Sequence, residues 1–407
     1  MTGMRAHTVA LEPVVDPLAV APPGAVIWSR GERALAAWGE HARVEPGAGD
    51  GRFARGAREL RSVMSALEVA DEVGGWATGP LAFGAYSFDP DSPSSALVVP
   101  RVVVGRDGER AWITTIGERA PVAPQASPGP RPSRAPVRRM GSSVADERWL
   151  AAVATARAAV CDGLIDKVVL ARDVVLARDE PFDQLSLARE LARRYADCFT
   201  FSFDGMVGAT PELLVRRVGR RVESLVLAGS VARGADRDED ERLAAWLRSS
   251  AKDRREHDLA VQTVREALEG TCVPLASDAE PSVMRLSYVQ HLATRLRARD
   301  VGTSSALDIA GALHPTAAVC GVPSDKALAA IRELEGLDRG RYCGPVGWVD
   351  MLGDGEWAIA LRCAELRGPE ARLFAGAGIM CDSDPRLELA ETELKLRPLL
   401  EALGPPR

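Results

Sequence analysis

The sequence predicts an α+β fold of antiparallel sheets flanked by helices. Short alternating or β-branched segments come in groups spaced as hairpins, and longer helical segments separate the groups. A Gly-x-Gly follows one strand-like run, at Gly376-Ala-Gly378, but the third glycine and the following helix of a dinucleotide-binding turn are missing, which argues against a doubly wound sheet. At roughly 150 residues per domain the 407 residues would make two or three domains, or one large one.

From the N-terminus, residues 55–71 carry helical apolar spacing, and 81–88, 96–104 and 111–116 read as short strands bounded by Gly, Pro and Asp. Six prolines (121, 124, 128, 130, 132 and 136) then fall among Ala, Ser, Gly and Arg, a composition that sustains neither a helix nor a central strand. Residues 119–140 are therefore a loop or linker between an N-terminal part of the fold, 1–118, and a region 141–407. Beyond it a helix is expected over 146–162 and a β-branched strand over 167–176. Strands follow at 198–203, 213–218 and 221–227, then helices at 239–269, 282–297 and 324–334, then strands at 342–350, 357–366 and 371–380. A last helix starts near Ser383, with Asp384 and Pro385 in its first turn, and runs past Pro398 towards Leu403.

Composition narrows the function classes. Apolar residues at 46%, charged residues at 27% and a net charge of −6 describe a soluble globular chain with no call for a nucleic-acid partner. No apolar run approaches the roughly 18 residues that span a bilayer, and the first twenty residues lack the pattern of a leader peptide, so no membrane partner is expected. The seven cysteines form an odd set with no CxxC pair and no zinc-like Cys/His spacing, which predicts unpaired thiols in a reducing, cytoplasmic setting. No oligomerisation motif is evident, so a monomer is expected. Lysine occurs only at Lys167, Lys252, Lys326 and Lys395, leaving 47 of the 51 basic residues as arginine. Where arginine is the default cation, each surviving lysine invites a specific reason, because an ammonium can give up its proton and a guanidinium cannot.

Several residues could carry chemistry. In DKVVLARDVVLA, Lys167 shares a strand face with Val169 and Ala171; it is either an edge lysine or a desolvated amine able to act as a general base. Glu212 in ATPELLVRR is either a solvated turn acid or, if buried, a carboxylic acid that keeps its proton for delivery. Asp253 and Glu256, and likewise Glu388 and Glu391, stand i, i+3 on expected helices and point along the apolar stripes. Four such carboxylates without a His or Cys cluster suit a hard, oxygen-seeking ion such as Mg²⁺. Arg362 falls among Ala358, Ala360 and Ala364 on one strand face, leaving room beside a guanidinium for a small carboxylate ligand, although a structural ion pair fits equally. The small residues of RLFAGAGIMCD permit close backbone approach to a ligand.

In order, DKVVLAR, ATPELL, LAGSVARG, KDRREH, HLAT, HPTAAVCGVP, RYCGPVGW, ALRCAEL, LFAGAGI and ELAETELKL resemble the chorismate-utilising enzymes, most closely the isochorismate synthases, over residues 163–400. Residues 1–140 match loosely, around GPLAFGAYSFD. The resemblance implies one large α+β chorismate-binding domain of packed antiparallel sheets, a small-molecule substrate, and Mg²⁺-dependent chemistry on chorismate. It places Lys167 as the base that activates water for attack at C2, and Glu212 as the acid that protonates the departing C4 hydroxyl. Glu256 and Glu391 match the principal magnesium carboxylates, with Asp253 and Glu388 as water-mediated partners. Tyr342, Arg362, Gly376 and Lys395 match substrate-carboxylate contacts, and His291, Thr316 and Ala318 the surrounding pocket.

Within the family, the lysine of KVVLAR sets this chain apart from relatives that use an ammonia-derived nucleophile. Ala318-Val319 stands where salicylate synthases have a threonine, which implies that the reaction stops at isochorismate. Ala317, Val319 and Cys320 replace the Pro, Leu and Ser of the usual isochorismate synthase strip. A salicylate synthase and a non-catalytic chorismate-binding paralogue are the alternatives, and the sequence does not choose among a siderophore, a quinone such as menaquinone, or another aromatic compound as the end product.

Overall fold

The computed structural model describes residues 4–117, 135–273, 276–299 and 302–404. The N-terminal part contains β1 (Arg5–Ala10), α1 (Pro17–Val20), β2 (Val26–Arg30), β3 (Arg33–Val44), α2 (Arg52–Ser65), β4 (Glu68–Asp71), β5 (Leu81–Ala85), β6 (Ala96–Asp107) and β7 (Arg110–Ile116). Next come β8 (Arg138–Gly141), α3 (Asp146–Cys161), β9 (Lys167–Ala177), α4 (Gln184–Arg194), β10 (Phe199–Phe203), β11 (Met206–Thr210), β12 (Leu213–Val218) and β13 (Arg221–Ala232). They are followed by α5 (Arg237–Ser249), α6 (Ala251–Glu269), β14 (Ala276–Ser277), β15 (Ser282–Arg285), β16 (Val289–Arg299), α7 (Ala306–Leu313), β17 (Gly321–Val322) and α8 (Ser324–Leu334). The chain finishes with β18 (Pro345–Asp350), β19 (Gly355–Ile359), β20 (Cys363–Arg367), β21 (Glu370–Ile379) and α9 (Pro385–Leu403).

Two sheets grow from one long ladder, β3 on β6. The first runs β4–β1–β7–β6–β3–β2–β10–β11–β20–β21–β9, with β8 and β17 on the far edge of β9. The second runs β6–β5–β18–β19–β12–β13–β16, with β14 and β15 beyond. On one edge of β6, residues 102–107 pair with β7 and residues 96–98 with β5. Pro100 lies between these stretches, where a missing N–H costs the sheet least. Apart from the parallel β1–β4 pair, the described pairings are antiparallel, as an α+β fold requires.

The main core joins Trp28, Phe199 and Phe201 of the first sheet to Leu213, Trp348 and Trp357 of the second. A second core lies where the first sheet meets Leu185 and Leu191 of α4 and Leu396 and Leu399 of α9. Helix α6 packs on β13 through Ala260, Val264 and Leu268. The two helices expected to carry paired carboxylates are thus both docked on the sheets by their apolar stripes.

Several expectations are corrected. Residues 282–297 form β15 and most of β16 instead of a helix, because β16 pairs with β13 along its full length; its first six residues are all buried, which hides the two-residue period. The helix expected over 239–269 breaks at Ser250, which ends α5 and caps α6. Residues 68–71, expected to be helical, form β4, and the strand expected over 342–350 begins only at Pro345. Of the six prolines in 119–140, only Pro136 lies in the described residues, and β8 occupies the end of that segment. The unpaired-thiol expectation fails for one pair: Cys161, the last residue of α3, is disulfide-bonded to Cys381 with Cα atoms 4.8 Å apart, whereas the other five cysteines are buried and form no disulfide. Among the described residues, no helix is long and apolar enough to cross a membrane.

Candidate active site

Two capped helices set the carboxylates in place. The Ser250 hydroxyl accepts from the Asp253 N–H at 3.3 Å and donates to the Asp253 carboxylate, starting α6 so that Asp253 and Glu256 follow within its first two turns. The Asp384 carboxylate accepts from the N–H groups of Arg386 and Leu387, and Pro385 opens α9, which then presents Glu388, Glu391 and Lys395. Each of three carboxylates meets a lysine. Lys167 Nζ lies 2.9 Å from Glu256 Oε1, Lys252 Nζ donates to Glu388 Oε1 at 3.0 Å, and Lys395 Nζ lies 2.6 Å from Glu391 Oε1. Lys395 Nζ also donates to the Gly376 carbonyl at 2.8 Å.

Burial and neighbouring charge divide these acids into two kinds. Burial pushes the Glu256 carboxyl up, but the Lys167 charge, aided by Lys395 and Lys252, outweighs it and holds the group below its ordinary value. Asp253 is shifted up by burial and by the Glu256 charge, and Glu388 by burial and by Glu391. Glu212 is pushed up to about 8 by burial, against the pull of Lys167, Arg362 and Lys395, so it keeps its proton at neutral pH. His291 is pushed down to about 3 by burial and by Arg362 and Lys395; its neutral ring sets Nδ1 2.9 Å from Ser230 Oγ.

A cavity of about 70 Å³ gathers the expected groups: Glu212, Glu256, His291, Ala318, Tyr342, Arg362, Gly376, Glu391 and Lys395 all line it. Lys167 touches it through Glu256, and Glu388 is held by Lys252. Asp253 accepts a hydrogen bond from the N–H of the cavity-lining Ser230 at 3.3 Å. Thr316 is buried outside the lining; its carbonyl accepts from the N–H groups of Val319 and Cys320 and so shapes the turn that presents Ala318 and Val319. Tyr342 stacks on Phe374 with ring centres 5.0 Å apart. Arg362 corrects the sequence reading. It sits in the break between β19 and β20 with φ +49°, not on a continuous strand face among alanines, and its carbonyl accepts from the Ala209 N–H at 3.1 Å. Arg362, Lys395 and Pro211 also line an adjoining cavity of about 220 Å³ that contains none of the clustered carboxylates.

Sequence reasoning missed the glycines as spacers. A Cβ on Gly378 would collide with Glu256 Oε1 and lie 3.1 Å from Lys167 Cε, and one on Gly229, at φ +73°, would lie 3.0 Å from Asp253 Cβ. Both glycines lie in motifs that carried the family resemblance, yet only contact geometry shows what their missing side chains make room for.

The donors suit a hard divalent cation in type: Glu256, Glu391, Asp253 and Glu388 offer oxygen only, two glycines clear space beside Glu256 and Asp253, and Asp253 and Glu388 are shifted up first by burial and then by a neighbouring carboxylate. As they stand, no three His, Cys, Asp or Glu side chains among the described residues converge tightly enough to grip an ion, and lysines engage three of the four carboxylates.

The sequence profile described as chorismate binding enzyme matches residues 24–404. The chain belongs to that family. This chorismate-binding enzyme is 42% identical over 259 residues to an isochorismate synthase of Bacillus subtilis, covering 61% of this chain and 65% of that one. It is 37% identical over 412 residues to the salicylate biosynthesis isochorismate synthase of Pseudomonas aeruginosa, covering 93% and 84%. Among solved structures, the menaquinone-specific isochorismate synthase of Escherichia coli superposes with a TM-score of 0.82 at 26% identity, over 99% of this chain and 95% of that one.

Proposed function

We propose that the protein is an isochorismate synthase that converts chorismate to isochorismate. One observation carries the reading: a buried carboxylic acid that keeps its proton, Glu212, and a buried lysine, Lys167, belong to the same site, as a reaction needing an acid and a base requires. Lys167 acts from its amine form, reached by giving up the contact with Glu256 and releasing a proton to solvent, and takes a proton from water as the water oxygen bonds to C2. The diene electrons shift along the ring, the C4–O bond breaks, and Glu212 gives its proton to the departing hydroxyl. One water enters and one leaves, so the product is an isomer. Arg362 and Lys395 supply positive charge for the substrate carboxylates, and neutral His291 supplies a hydrogen-bonding wall without a charge.

The reading includes Mg²⁺, with Glu256 and Glu391 as its principal holders and Asp253 and Glu388 beside them. The ion would supply charge against a substrate carboxylate, fixing the ring relative to the acid and the base. Purified protein with chorismate and Mg²⁺ is expected to give isochorismate on chromatography. Sustained salicylate plus pyruvate would make it a salicylate synthase, and no turnover would leave a binding paralogue. Rates unchanged after exhaustive chelation would remove magnesium from the account.

A further inference from the structure

Three of the four lysines in this arginine-rich chain each hold one carboxylate of the cluster, whereas Lys326 donates to the Leu164 carbonyl at 3.4 Å. Lys167 and Lys395 have work in the proposed reaction. Lys252 has none: unlike Lys167, which meets the cavity-lining Glu256, it pairs with Glu388, which does not line the cavity. Its partner Glu388 is nearly fully buried, with 4% of its side chain exposed, while Lys252 retains 32%. The pair bridges residues 136 positions apart, joining α6 to α9, the two helices that carry all four carboxylates. A buried carboxylate needs a cation, and in this structure the protein supplies one.

We propose that Lys252 is a built-in counter-cation that competes with the divalent ion for Glu388 and thereby sets how tightly the metal is held. The proposal rests on the magnesium reading above. Lysine fits this role better than the chain's default arginine, because an ammonium holds a carboxylate through a single point contact on a flexible stem, whereas a guanidinium fork can grip both oxygens. When a divalent cation draws on Glu388, the ammonium can swing towards water along its partly exposed path, so the exchange leaves no charge buried without a partner.

The test titrates Mg²⁺ calorimetrically, without substrate, into wild type, Lys252→Met and Lys252→Arg, with circular dichroism to verify the fold. Lys252→Met is expected to bind Mg²⁺ roughly three- to tenfold more tightly, and Lys252→Arg more weakly by a similar factor. A lysine that merely joined two helices would give no tightening in either variant. Unchanged or weaker binding by Lys252→Met, or equal tightening by both variants, overturns the proposal. A wild type that takes up no Mg²⁺ overturns the metal reading itself and this inference with it. Should Lys252→Met fail to fold, Lys252→Gln, polar and of similar length, is expected to show the same tightening.

Discussion

The Lys167 ammonium and the Glu256 carboxylate form a contact of 2.9 Å with Lys167 wholly withdrawn from water and Glu256 only 15% exposed. Removing one partner of such a pair leaves the other charge stranded. Lys167→Met is expected to abolish turnover and, in metal-free protein, to lower stability by about 3–5 kcal/mol in denaturant unfolding. Adding Glu256→Gln should restore most of that stability while turnover stays absent. Lys167→Arg should be as inactive as Lys167→Met, since a guanidinium accepts no proton; a turning-over arginine variant would remove Lys167 as the base.

Glu212 predicts a pH signature in both rate and stability. Because its carboxyl is pushed up to about 8 in the free protein, kcat/KM should fall as pH rises through that value, and Glu212→Gln should lose activity at every pH. Stability follows by linkage: the unfolded chain releases this proton near 4.5, whereas the folded protein keeps it to about 8. The folded state thus binds more protons over that window, and the contribution is lost as pH rises from about 4.5 to about 8. Unfolding curves of Glu212→Gln across this range should show a shallower decline than wild type; an identical decline would mean that Glu212 ionises normally.

Gly378→Ala tests the clearance beside the ion pair. The added methyl group would collide with Glu256 Oε1 and crowd Lys167 Cε, so kcat/KM is expected to drop roughly 100-fold, the scale of an ångström's misplacement of a reacting group. The fold should survive, as checked by circular dichroism, because β21 keeps its register with β9 through backbone pairing. Wild-type kinetics in this variant would show that Glu256 and Lys167 do not need their present approach.

Much of the architecture could be read in the chain because local signals agreed with the final packing. The β-branched run after Asp166 became β9, and the Asp384-Pro385 start became α9. Readings failed where a distant partner decided the structure: β16 is a strand because β13 lies beside it, and the apparent strand around Trp357 breaks at Arg362, whose backbone adopts positive φ. The site residues were legible mainly through ordered motifs. Which lysine meets which glutamate was not, since Lys252 and Glu388 stand far apart in sequence, and neither was the Cys161–Cys381 bond, whose partners share no local spacing.

That disulfide also divides the chain by connectivity. It closes a covalent ring containing Lys167, Glu212, Glu256, His291 and Arg362, and leaves Glu388, Glu391 and Lys395 on a tail outside it. A single backbone cut inside the ring opens the loop without releasing a fragment, whereas a cut just beyond Cys381 frees the whole of α9. On denaturing gels after limited proteolysis, fragments from the first kind of cut should run as one species until a thiol reductant is added, and those from the second should separate in either condition.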